Sequence, residues 1–125
     1  MVDRGPVSVL GIDHVQVAAP RGCEPEARAF YGDLLGLEEL PKPEALRGRG
    51  GCWFRAGAQE LHVGVDEPFA AARKAHPGLV VSGLDELARR LAGAGIAVTW
   101  DDSVPDLRRF HAADPFGNRL EFRES

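Results

Sequence analysis

The chain has 125 residues and a formal charge of −4, from 15 Lys and Arg against 19 Asp and Glu. Its 44% hydrophobic and 27% charged content belongs to a globular chain, not a disordered one. The acidic balance argues against nucleic acid as a partner, and no apolar run reaches the roughly 20 residues of a membrane span.

One domain over residues 1–125 is expected at this length, burying about two-thirds of its unfolded surface without help from disulfides. Cys23 and Cys52 have neither metal-type nor CxxC spacing and are read as reduced structural thiols. Met1–Pro6 lacks a basic-then-apolar signal pattern, so the cytoplasm is the expected compartment.

Val7 to Ala18 is rich in β-branched residues and reads as a strand, with His14 and Gln16 on one face and Val15 and Val17 on the other. Pro20-Arg21-Gly22 is a turn. Pro25 suits the first turn of a helix, where its missing N–H costs nothing. Ala27, Phe30, Tyr31, Leu34 and Leu35 follow at helical spacing, and Gly36 ends the helix as a left-handed residue. Leu37–Leu40 reads as a short strand and Pro41–Arg49 as a loop. Gly51–Ala56 and Glu60–Val65 read as strands joined at Gly57-Ala58.

Asp66–Ala75 is a connector, after which the pattern restarts. His76–Val81 reads as a strand. Ser82-Gly83-Leu84-Asp85 resembles a capping box, and Leu84, Leu87, Ala88 and Leu91 form a helical stripe ended by Gly93 or Gly95. Ile96–Trp100, Leu107–Ala112 and Arg119–Arg123 are the remaining strands, the last two joined by Asp114–Asn118.

The order is strand, helix, three strands, twice over. His14 to His76 is 62 residues, Gly36 to Gly95 is 59 and Glu60 to Glu121 is 61. Near-constant offsets predict an internal repeat of two βαβββ modules, about 7–65 and 76–124, in an α+β fold. Neither copy has enough apolar surface to stand comfortably alone, so the two should pair.

The repeat carries a candidate site. His14 and His76 occupy the first strand of their copies, and Glu60 and Glu121 the last. Apolar residues fill the alternate positions, so the His and Glu set points away from the core, onto the concave face of a curved sheet. Two imidazoles and two carboxylates converging there would suit a divalent transition metal such as Zn, Ni, Fe or Mn. His62 shares the face of Glu60 and competes with it as fourth ligand or lines the pocket. His111 reads as structural or cavity-lining. Trp53, Phe54, Trp100 and Phe110 read mainly as core, with Trp53 and Phe110 the candidates to line an apolar pocket with His62. Arg47, Arg49, Arg108 and Arg109 are candidates to hold an anionic substrate. No nucleophile with an adjacent base is evident.

Several stretches resemble the vicinal oxygen chelate superfamily, the glyoxalase, bleomycin-resistance and dioxygenase group. They are Gly11-Ile12-Asp13-His14-Val15, Phe30-Tyr31-Gly32-Asp33-Leu34-Leu35-Gly36-Leu37, Glu60-Leu61-His62-Val63, Ala75-His76-Pro77-Gly78-Leu79-Val80-Val81 and Asp114-Pro115-Phe116-Gly117-Asn118-Arg119-Leu120-Glu121. The resemblance implies paired modules forming a U-shaped mixed sheet around a cavity. It implies metal ligands at His14, His76 and Glu121, with Glu60 at the position of the fourth ligand of glyoxalase I. It further implies that the cation binds substrate oxygens and stabilises an enolate or oxyanion while Glu60 or Glu121 moves a proton. Gln16 and Val17 stand near the place where glyoxalase I has an arginine, and the phosphonate-binding residues of the fosfomycin transferases are not recognisable. The expected function is therefore a metal-dependent enzyme of isomerase, lyase, transferase or dioxygenase type acting on a small vicinal-oxygen substrate. The alternatives are a metal-free drug-binding protein of the bleomycin-resistance type and a fold whose inherited site is idle. A homodimer is expected, since many such proteins pair and an exposed edge strand would favour it.

Overall fold

The computed structural model describes residues 5–125; Met1–Arg4, which fall within the expected domain span, lie outside the described residues. Two four-stranded mixed sheets with few helices make an α+β fold. The first sheet contains β1 (His14–Ala19), β2 (Glu39–Leu40), β3 (Cys52–Ala56) and β4 (Gln59–Val65), in the order β1-β4-β3-β2. The second contains β5 (Gly78–Val81), β6 (Thr99–Trp100), β7 (Arg109–Ala113) and β8 (Arg119–Glu124), in the order β5-β8-β7-β6. In each, the first strand pairs parallel with the last and the others pair antiparallel. The topology is βαβββ twice, as the offsets predict.

The first helix differs from its expected form. Helix α1 (Glu24–Ala27) widens into a π-helical segment, Arg28–Leu34, and Leu35 N–H donates to Phe30 O, five residues back, at 3.0 Å. The extra residue per turn keeps Phe30 and Tyr31, 1% and 0% exposed, both on the core. Gly36 then takes φ +74° and Leu37 N–H reaches back to Tyr31 O, which is the expected left-handed ending. The second helix, α2 (Leu84–Gly93), buries Leu84, Leu87 and Leu91 as its stripe predicts. It has no capping box: Gly83 is the N-cap with φ +82° and no side chain caps the helix. Pro41–Arg49 is not wholly irregular, since Glu44–Arg49 forms a 3₁₀ segment.

Five expected strands are shorter or shifted, for one reason. β propensity extends a strand only as far as a partner does. β1 starts at His14 because its first register partner is Glu60; Val7 to Ile12 have none and lie exposed. His76 and Pro77 precede β5, whose pairing starts with Gly78 opposite Glu121. β2 is cut to Glu39–Leu40 and β6 to Thr99–Trp100, and β7 begins at Arg109.

Alternation gives each sheet one core face. Val17, Ala19, Phe54, Leu61 and Val63 from one sheet and Phe110, Ala112, Leu120 and Phe122 from the other join a single buried cluster with both helices. The halves are tied by buried polar contacts: Tyr31 O–H donates to Asp114 Oδ2 at 2.6 Å, and Asn118 Nδ2 donates to Ala18 O at 2.7 Å. Among the described residues no helix is long and apolar enough to cross a membrane.

Candidate metal centre

The faces turned away from the core carry the candidate site, as two donor groups rather than one. On the first sheet, His14 is the register partner of Glu60, and His62 is that of Gln16 and Trp53, so these side chains share a face. Trp53 stacks on His62 at 3.8 Å and 3°, and His14 stacks on the same imidazole at 4.2 Å and 14°. His62 Nε2 donates to Glu60 Oε1 at 2.9 Å, because a carboxylate can only accept. His62 is 4% exposed, clamped between two rings and spent on Glu60. In this structure its ring nitrogen is the hydrogen-bond partner that holds Glu60. His14 Nδ1 donates to Asp13 Oδ2 at 2.9 Å, which fixes the tautomer and leaves Nε2 with a free lone pair.

The second sheet holds His76, His111 and Glu121, whose ligand atoms lie within 4.8 Å of one another. His111 and Gly78 flank Glu121 in the register, and His76 reaches in from just before β5. His76 Nδ1 donates to the Lys74 carbonyl at 2.8 Å, so its Nε2 lone pair faces the cluster. Nε2 of His76 and of His111 each sit 3.5 Å from Glu121 Oε1. That is too long for a hydrogen bond. It matches two ligand atoms on one tetrahedral ion, which are about 3.4 Å apart. Burial lowers the pKa of His111, reinforced by Arg119 and opposed by Glu121, so its lone pair stays available at neutral pH. Two imidazoles and a carboxylate are a donor set that a divalent transition metal takes, and the cluster fits one.

Three sequence expectations change here. Among the described residues, the close donor cluster contains neither His14 nor Glu60. His111, read as structural or cavity-lining, belongs to it; the hairpin would have shown this, since counting outward from Phe116 sets residues 111 and 121 opposite each other. Phe110 does not line a pocket: it is 0% exposed and stacks on Phe122 in the core. Trp53 does stand on the site face, at the edge of a groove of about 500 Å³ bordered by Leu40, Lys42, Arg47, Arg55 and Glu60. Arg108 is engaged elsewhere, with Asp85 at 2.9 Å and over the Trp100 ring at 5.0 Å. Arg109 donates from Nη1 to Glu121 Oε1 at 3.0 Å, inside the cluster itself.

Comparison with known proteins agrees with this architecture. No curated protein matches the chain. Among solved structures, a protein from Bacillus anthracis assigned to the glyoxalase family is 55% identical, with a TM-score of 0.92 over 96% of this chain and 98% of that one. A lactoylglutathione lyase from Agrobacterium tumefaciens is 22% identical, with a TM-score of 0.72 over 98% of this chain and 96% of its own. The fosfomycin resistance protein FosX from Listeria monocytogenes is 12% identical, with a TM-score of 0.72 over 94% and 93%; these last two share the fold. The family model matches residues 11–122, nearly the whole chain, and the chain belongs to the Glyoxalase/Bleomycin resistance protein/Dioxygenase superfamily.

Proposed function

We propose that the protein is a divalent-metal-dependent enzyme acting on a small substrate with adjacent oxygen atoms. The observation that carries this reading is the approach of His76 Nε2 and His111 Nε2 to Glu121 Oε1 at 3.5 Å, with the His76 tautomer fixed by Lys74 O. When bound, the metal would polarise the substrate's oxygens and stabilise negative charge on them. The chain's own residues would orient the substrate and move its proton. Glu60 suits proton transfer better than Glu121. Its carboxylate is 31% exposed and held from one side by His62, whereas Glu121 is 9% exposed and its Oε1 is already surrounded by donors. Trp53 would offer a flat apolar wall beside Glu60.

A second copy of the chain completes the centre in this reading. His14 and Glu60 form one half-site and His76 and Glu121 the other, and both stand beside open sheet edges, β1 and β5. Val15 and Val80 on those edges are 37% and 67% exposed. Pairing the edges of two copies would cover these apolar side chains and bring His14 of one toward His76 of the other.

The second reading is a metal-free small-molecule-binding protein of the bleomycin-resistance type. It is favoured by the Arg109 guanidinium, which already neutralises Glu121. Elemental analysis of protein purified without chelator separates the two. About one divalent ion per chain, lost in His76→Ala, is the expected result. Equal, near-zero metal in both proteins would overturn the metal reading and leave the second in its place.

A further inference from the structure

Glu121 Oε1 is approached by a third group besides the two imidazoles. Arg109 spans the site: Nη1 donates to Glu121 Oε1 at 3.0 Å and Nη2 to Asp101 Oδ2 at 3.1 Å. Its side chain is 20% exposed, and its Nε is buried without an acceptor among the described residues. A guanidinium does not lose its proton, so this is a fixed positive charge beside the oxygen that a cation would take.

The surrounding charge is one-sided. Strand alternation puts Arg109 and His111 of β7 on one face with Arg119, Glu121 and Arg123 of β8, and Arg109 is the register partner of Arg123. Arg119 and Arg123 make no ion pair among the described residues, where Arg109 engages both Glu121 and Asp101. Arg123 is exposed at the rim, so the partly buried charges are Arg109 and Arg119 against Glu121 and Asp101. A divalent cation added to this face leaves an excess of positive charge in a half-buried place even when Glu60 of a second copy is counted, and a neutral ligand cannot relieve it. An anionic ligand relieves it, and a carboxylate also matches the planar fork of Arg109 and its spare Nε–H.

We infer that the proposed centre selects substrates bearing negative charge on the chelating oxygens, a carboxylate with an adjacent hydroxyl or carbonyl oxygen, and that Arg109 is the residue that selects them. The inference rests on the metal reading above and names the substrate class of that site. Arg109 opposes the cation while the site lacks an anion, and holds the anion once both are present. Metal and substrate then bind with positive coupling.

The test is calorimetric and uses no turnover. Mn²⁺ is titrated into chelator-stripped wild type, Arg109→Gln and Arg109→Lys, and oxalate or neutral hydroxyacetone is then titrated into each loaded protein. Arg109→Gln should bind Mn²⁺ about tenfold more tightly than wild type and oxalate at least about tenfold more weakly. Arg109→Lys, which keeps the charge and loses the fork, should match wild type for Mn²⁺ and fall between the two for oxalate. Hydroxyacetone should bind weakly and alike to all three. Oxalate affinity unchanged by Arg109→Gln, or hydroxyacetone bound as tightly as oxalate, overturns the inference and leaves the metal reading standing. If no protein takes up Mn²⁺, the metal reading falls. Oxalate binding to wild type that is lost in Arg109→Gln would then still support anion selection, and its absence would overturn that too.

Discussion

Cys23 and Cys52 are each 1% exposed, and burial pushes both thiols up to about 11. Glu24 adds to the effect at Cys23, and Glu39 at Cys52. A raised thiol pKa depletes the thiolate, the reactive form, at every pH below it; at pH 8 about one thiol in a thousand is ionised. Iodoacetamide at pH 8 should therefore leave both cysteines intact in the folded protein and modify both in urea, as read by mass spectrometry. Fast labelling of the folded protein at pH 8 would contradict the burial. The sequence gives these residues only a compartment argument, and their inertness comes from where the chain folds over them. The same holds for His62. Its place on the Glu60 face is legible from alternation, but the Trp53–His62–His14 stack depends on which strands flank β4.

At the scale of elements, β3 is preceded by a glycine that a side chain could replace only with strain. Gly51 has φ +84°, and a Cβ added there would lie 2.1 Å from the Val63 carbonyl oxygen of β4. Its N–H donates to Glu24 Oε2 at 2.7 Å, which joins the start of β3 to α1 and lowers the Glu24 pKa. Gly51→Ala should cost about 3 kcal/mol, from left-handed strain and the backbone clash together, read as a lowered urea midpoint. Gly48→Ala, in the 3₁₀ segment with open space at its Cβ, should stay within about 0.5 kcal/mol of wild type. Element type was mostly legible: helical spacing, alternation and turn residues placed both helices and all eight strands. Strand ends were not, because β1, β5 and β6 stop where their partners stop. The π-helical widening at Arg28–Leu34 was also hidden, since it follows from seating Phe30 and Tyr31 side by side on the core.

For the whole molecule, the central question is which donors meet. If two copies share each centre, His14→Ala and His76→Ala chains are each defective, yet a mixed dimer has one centre with both histidines intact. Unfolding and refolding an equal mixture should restore about a quarter of the wild-type metal content, since half the dimers are mixed and each has one good site of two. No recovery in the mixture, with dimers present by light scattering, would place each centre within a single chain.

Legible in the chain alone were the duplicated βαβββ plan, the shared face of His14, Glu60 and His62 and the face of Glu121, and the family resemblance that the 55% identical structure supports. These follow from period, turn chemistry and offset, which are local properties of the chain. Three-dimensional packing was needed to show that His76 reaches Glu121 from outside β5, that Phe110 is core, and that Arg109 enters the donor cluster. The reason is that register between strands and the reach of a long side chain are set by nonlocal packing, which no periodicity in one strand encodes.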